Sequence, residues 1–108
     1  MNRYFMNKLT SSERSFLRSQ AHHLEPVVLI GKNGVSIGTI EAVNKALDAR
    51  ELIKIKFRAF KDNKQSISDE IAAAVNCHVA GMVGHTVILF RQNPDSEKQT
   101  IRLPGIKY

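Results

Sequence analysis

Cysteine is nearly absent from the 108-residue sequence, since Cys77 is its one example. A lone cysteine cannot close an intrachain disulfide, and a domain of this length can bury a core without one. The first eight residues also lack the apolar segment of a signal peptide. We find no repeat, low-complexity tract or interdomain linker, and we expect a cytoplasmic protein with a single core.

Long uncharged runs are also rare, with one exception at residues 71–90, which contain no Asp, Glu, Lys or Arg. That length matches a membrane helix. However, polar residues and glycines interrupt the run, and its apolar period changes from helical to strand-like halfway along. We therefore interpret it as the end of a helix followed by two strands and a turn, and we expect no membrane contact.

The charge balance is basic, with 16 Lys and Arg against 10 Asp and Glu and a formal net charge of +6 at pH 7. This balance favours polyanionic partners. With 43% hydrophobic and 24% charged residues, the chain has the composition of a soluble globular domain, which excludes collagen-like and wholly disordered proteins.

Apolar periodicity and cap signals predict an α/β fold with three helices and four strands in the order α-β-α-β-α-β-β. The helices are predicted at about 11–23, from a Ser36 cap to about Ala49, and from an Asp62-Asn63 cap to about Asn76. The strands are predicted at 27–30, 51–58, 79–83 and 86–91. The first strand is an unbroken apolar run, which is typical of a strand buried on both faces.

A phosphate-binding loop is suggested by Gly31-Lys32-Asn33-Gly34, which lies between the first strand and the second helix. Glycines let a phosphate approach the backbone, the start of a helix offers unpaired N–H groups, and Lys32 adds a positive charge. Asn33 adds hydrogen-bonding groups. An ordinary turn between a strand and a helix uses the same residue types, so the tetrapeptide alone leaves both interpretations open.

A row of cations is predicted on the second strand, because Lys54, Lys56 and Arg58 alternate with apolar residues. Period-two spacing places them on one face at intervals of roughly 7 Å, close to the spacing of successive phosphates. A strand face that is merely solvated shows the same pattern.

Catalytic and metal-binding patterns are not evident. His22 and His23 are adjacent and point in different directions, and no histidine stands at metal-ligand spacing from Cys77. We interpret Cys77 as a small buried apolar residue. Asp69 and Glu70 are consecutive on a helix and cannot face each other. We therefore expect no enzyme activity, no metal, no cofactor and no small-molecule substrate.

Several motifs together carry a family resemblance over about residues 9–104. They are Leu24-Glu25-Pro26-Val27-Val28-Leu29-Ile30-Gly31-Lys32-Asn33-Gly34, Glu51-Leu52-Ile53-Lys54-Ile55-Lys56, Val83-Gly84-His85-Thr86, Leu89-Phe90-Arg91 and Leu103-Pro104. On these motifs the chain resembles the YhbY-like proteins, the bacterial stand-alone form of the chloroplast RNA splicing and ribosome maturation domain.

The resemblance implies a two-layer α/β sandwich with a mixed four-stranded sheet in the order 1-2-4-3, similar to the C-terminal domain of translation initiation factor 3. It also implies RNA binding through the glycine loop, in the manner of KH modules, and association with precursors of the large ribosomal subunit. The predicted RNA-binding residues are Gly31, Lys32, Asn33, Gly34, Ser36, Lys54, Lys56 and Arg58.

We accordingly expect a monomeric protein that binds ribosomal RNA during assembly of the large subunit. Its predicted parts are a flexible extension at 1–8, an RNA-binding domain at 9–93 and a tail at 94–108 that packs partly on the domain. Two other functions remain open, namely a protein-docking module without RNA contact and a small nucleotide-using enzyme.

Overall fold

The computed structural model describes residues 8–104. Its helices are α1 (Ser11–Ala21), α2 (Ile37–Ala49) and α3 (Lys64–Val75), and its strands are β1 (Pro26–Ile30), β2 (Leu52–Phe57), β3 (His78–Val83) and β4 (Thr86–Phe90). Short 3-10 turns lie at Lys61–Asn63 and Ser96–Lys98. Apart from Lys8, the extension predicted at 1–8 lies outside the described residues, as does the end of the tail.

The four strands form one mixed sheet in the order β1-β2-β4-β3. β1 pairs parallel with β2, whereas β4 pairs antiparallel with both β2 and β3. These observations confirm the predicted fold class, element order and strand order. Since β3 and β2 are both antiparallel to β4, the strands β1, β2 and β3 all point the same way.

Alternating side chains of the sheet supply two hydrophobic clusters, one on each face. Ile53, Ile55 and Phe57 belong to the larger cluster, which also contains Val43 of α2 and Ile71 of α3. The opposite face carries a second cluster of Leu52, Ile88 and Phe90 with Leu17 and Ala21 of α1. The sheet and the α2–α3 layer therefore form the predicted two-layer sandwich, and α1 partly covers the other face.

The burial predicted for both faces of β1 is wrong. Val28 and Ile30 are buried, but Val27 and Leu29 are 50% and 52% exposed. Helix α1 packs over β2, β3 and β4, so the outer face of the edge strand β1 stays open. An unbroken apolar run cannot by itself show which strand face a helix will cover.

Helix boundaries agree closely with the caps for the first two helices. Thr10 and Glu13 form the capping box of α1, and Ser36 caps α2. The predicted side-chain cap of α3 is wrong, because Asn63 makes no side-chain cap hydrogen bond. Its backbone N–H instead donates to the carbonyl of Phe60 at 2.9 Å, which closes the 3-10 turn ahead of the helix.

The uncharged run at 71–90 covers the end of α3 and the hairpin of β3 and β4, as predicted. Among residues 8–104, no helix has both the length and the apolarity needed to cross a membrane.

Glu51 fastens the chain that follows β4 to the domain. Its carboxylate is buried and accepts from the backbone N–H groups of Asn93 (2.6 Å), Thr100 (2.7 Å) and Ile101 (2.8 Å). Leu103 then enters the second hydrophobic cluster. The described part of the predicted tail, residues 94–104, is thus tied down by one carboxylate and one apolar anchor.

Candidate nucleic-acid interface

Three connecting segments meet at the end of the sheet where β1, β2 and β3 finish. They are the glycine loop with its helix cap (31–36), the segment 58–63 and the hairpin turn Gly84-His85. The N–H groups of Arg58 and Ala59 donate to the carbonyl of Ile30 at 2.9 and 3.2 Å, and the N–H of Phe57 donates to the carbonyl of His85 at 2.8 Å. We call this region the open end. In open α/β sheets, ligands bind outside the carboxyl ends of the strands.

The glycine loop is a tight turn that leaves its corner in solvent. The Gly34 N–H donates to the Gly31 carbonyl at 2.9 Å, and Gly34 has a φ of 68°, which favours glycine. Lys32 and Asn33, at the corner, are both exposed. A Cβ built on Gly31 would have no atom within 4 Å, so this backbone is open to a ligand.

The start of α2 adds hydrogen-bond donors to the same surface. Ser36 and Thr39 form a reciprocal capping box, in which the Ser36 hydroxyl accepts from the Thr39 N–H at 3.2 Å. Within residues 8–104, no hydrogen bond uses the backbone N–H groups of Lys32, Asn33, Ile37 or Gly38. These donors and the positive end of the helix dipole suit an anion.

Positive charge predominates at the open end. Lys32, Arg58 and Lys61 are exposed, and none of them has an ion-pair partner in the described part of the chain. Asp62 is the acidic residue of the three segments. Lys64 lies beneath them, where its ammonium group donates to the Gly84 carbonyl at 2.6 Å. The excess of cations is the field that a polyanion requires.

The predicted row of cations on β2 is divided by the structure. The Lys54 ammonium group donates to the carbonyls of His22 (3.3 Å) and Leu24 (3.0 Å), just beyond the end of α1. Lys56 is exposed and pairs with Leu29 of β1. Arg58 lies beyond the strand at the open end. Lys54 therefore serves the fold, while Lys56 and Arg58 remain available to a ligand.

Phe60 is a residue of the open end to which the sequence analysis assigned no role. It is 44% exposed and has a left-handed backbone with a φ of 54°. The available signal was a large aromatic residue between Arg58 and Lys61, outside any apolar period.

Comparisons with known proteins are consistent with this surface. The model of the CRS1/YhbY (CRM) domain family matches residues 9–91. The chain belongs to that family. This CRM domain is 39% identical over 103 residues to the "Probable RNA-binding protein" of Methanocaldococcus jannaschii, covering 93% of this chain and 76% of the relative. It is 36% identical over 100 residues to an "RNA-binding protein" of Haemophilus influenzae, covering 92% and 98% respectively.

A solved structure shows the same fold. The solution structure of a Staphylococcus aureus protein, described as a candidate RNA-binding protein, superposes on this CRM domain with a TM-score of 0.76 and 28% sequence identity. The match covers 89% of this chain and 99% of the other. The glycine loop and segment 58–63 both lie within the family match.

Other reactive groups of the CRM domain serve its structure. Burial raises the pKa of the Cys77 thiol to about 12, although the charge of Arg91 acts in the opposite direction. Arg91 itself donates to Asn44, the Val75 carbonyl and Asp48 at 2.7–3.1 Å, which joins α2, α3 and β4. Within residues 8–104, no group of three His, Cys, Asp or Glu side chains could hold a metal ion.

Proposed function

We propose that this CRM domain protein binds ribosomal RNA through the open end and assists assembly of the large ribosomal subunit in the cytoplasm. Binding is non-covalent, and the protein acts as a monomer. The backbone donors at Lys32, Asn33 and the start of α2 contact phosphate and sugar oxygens. Lys32, Lys56 and Arg58 supply the surrounding positive charge, while Ser36 and Lys54 hold the loop and the helix end in place.

One observation carries the proposal. Exposed cations without ion-pair partners surround free backbone N–H groups of a glycine loop, in a family whose relatives bear RNA-binding names. Phosphates are recognised by this combination of backbone donors and cationic side chains. Contacts of this kind position a nucleic acid without reading its bases, so we expect structured RNA to be held largely by shape.

The test uses Gly31, because a side chain there enters open space. Gly34 is less suitable, since its φ of 68° would strain any other residue. Gly31→Glu places a negative charge on the loop and should weaken binding to a ribosomal RNA fragment by about tenfold or more, because like charges at an interface are strongly unfavourable. Gly31→Ala is the matched control and should bind within about twofold of the wild type.

Gel-shift titration at several salt concentrations provides the readout, and circular dichroism verifies that each variant is folded. Lys32→Ala should reduce the slope of log affinity against log salt by about 0.7–0.9, the share of one phosphate contact. Equal affinities for wild type and folded Gly31→Glu would disprove the loop assignment. Crosslinking in cell extract, followed by sequencing of the attached RNA, tests the association with large-subunit precursors.

A second function is favoured by the open face of β1. Val27 and Leu29 are about half exposed on an edge strand, and such a surface can accept a protein partner. In that case the domain docks on a ribosomal protein or an assembly factor. Val27→Thr together with Leu29→Thr would then abolish recovery of the particle, while affinity for naked RNA and its salt dependence would stay unchanged.

A further inference from the structure

We propose that Phe60 is a stacking platform for an unpaired base of the RNA strand held at the glycine loop. The inference rests on the proposed function and extends it by naming the bound form of RNA. That form is a single-stranded or looped-out nucleotide whose phosphate lies on the loop and whose base lies on the ring.

The exposure of Phe60 sets it apart from the other aromatic residues of the described chain. Phe57 and Phe90 are completely buried, and Phe16 packs against the second hydrophobic cluster. Phe60 is 44% exposed and belongs to neither cluster. Its ring therefore contributes little to the core and is accessible from solvent.

The backbone on both sides fixes the position of Phe60. The preceding N–H, of Ala59, donates to the last carbonyl of β1, and the carbonyl of Phe60 accepts from Asn63 at 2.9 Å. Between these bonds Phe60 adopts the left-handed region, with φ 54° and ψ 36°. A bulky residue rarely takes this conformation unless its surroundings impose it. The ring is thus held in place before any ligand arrives.

The ring lies directly beside the glycine loop. A Cβ built on Gly34 would stand 3.6 Å from Cε2 and 3.9 Å from Cζ of Phe60. The aromatic surface and the phosphate-binding surface are therefore adjacent, within the reach of a single nucleotide. Arg58 and Lys61 flank the ring in sequence and add positive charge along the path of the backbone.

Stacking on an aromatic ring is the usual way in which proteins hold an unpaired base, and it tolerates any base because each has a flat face. A paired base inside a duplex cannot make this contact. The geometry therefore predicts a preference for loops, bulges and single strands over continuous helices.

The experiment compares Phe60→Leu with Phe60→Tyr and Ile37→Ala. Leucine keeps an apolar side chain but removes the ring, tyrosine restores a ring, and Ile37 is an exposed aliphatic residue (80%) at the same end. The probe is a single-stranded RNA of about 12 nucleotides, within the site sizes of single-strand binders, carrying one 2-aminopurine. Affinity is measured by anisotropy over a salt series, and stacking by quenching of the 2-aminopurine fluorescence.

We expect Phe60→Leu to bind about tenfold more weakly and to lose the quenching, because one base stack is removed. The salt slope should not change, since no charge is lost. Phe60→Tyr should behave like the wild type, and Ile37→Ala should stay within about twofold of it.

The proposal fails if Phe60→Leu binds and quenches like the wild type while Gly31→Glu still loses affinity, and in that case the loop assignment stands. It also fails if Phe60→Tyr is as weak as Phe60→Leu, or if Ile37→Ala is equally weak, since the contact is then not a stack. If Gly31→Glu and Phe60→Leu both bind normally, the proposed function itself is wrong.

Discussion

The two ends of the sheet use their polar side chains in opposite ways. At the end where β2 begins and β4 finishes, which we call the closed end, Glu51 accepts three backbone N–H groups and Arg91 links α2, α3 and β4. At the open end, Lys32, Arg58 and Lys61 project into solvent without ion pairs in the described chain. Polar groups at the closed end stabilise the fold, whereas those at the open end are free to bind a ligand.

Cys77, near the closed end, provides the largest expected effect. Burial raises its pKa from 9.0 to about 12, so at pH 8 the native protein holds about a thousandfold less thiolate than the unfolded chain. Iodoacetamide should therefore alkylate native Cys77 about a thousandfold more slowly than the same residue in urea. The native rate should keep rising with pH beyond 9, whereas a plateau near pH 9 would show that the thiol is not desolvated.

Glu51→Ala tests the closed end itself. The change leaves the N–H groups of Asn93, Thr100 and Ile101 without their acceptor, and hydrogen bonds to a charged group contribute about 1.5–3 kcal/mol each. We expect the free energy of unfolding to fall by about 3 kcal/mol, as measured by urea denaturation. Affinity for RNA should not change in the folded fraction.

Glu51→Gln is the matched control, because an amide oxygen can still accept from Thr100 and Ile101. Its loss of stability should be smaller than that of Glu51→Ala. A Glu51→Ala variant within about 0.5 kcal/mol of wild type would contradict the role of this carboxylate, and a loss of RNA affinity would blur the distinction between the two ends.

Lys54 and Lys56 give the smallest and sharpest contrast, since the two lysines lie two residues apart on one strand. Lys54→Met removes the bonds to the carbonyls of His22 and Leu24 and should lower stability by about 1 kcal/mol, with no change in salt slope. Lys56→Met should reduce the salt slope of RNA binding by about 0.7 and leave stability unchanged. Equal effects of both variants on the slope would restore the undivided row of cations.

Much of the fold follows from local patterns in the sequence. The Thr10 and Ser36 caps define the starts of α1 and α2, and alternating apolar residues identify the buried face of β2. Long-range packing is not encoded in this way. The exposure of Val27 and Leu29 depends on where α1 crosses the sheet, and the start of α3 depends on a backbone turn at Phe60 that no side-chain cap announces.

The candidate site could be predicted in part. The glycine loop is visible because it needs residues with few side-chain atoms at fixed positions. The contributions of Lys54 and Glu51 are not visible, because their partners lie about 30 to 50 residues away in sequence. Phe60 was missed for a related reason, since a lone aromatic residue in a polar segment gives no period to read.

The most direct test is an NMR titration of the isotope-labelled protein with a ribosomal RNA fragment. We predict that the amide signals of Lys32, Asn33, Ile37, Gly38 and Phe60 shift progressively, while those of Asn93, Thr100 and Ile101 at the closed end stay in place. Shifts confined to the closed end or to the outer face of β1, with the glycine loop unchanged, would contradict the assignment of the open end as the RNA-binding surface.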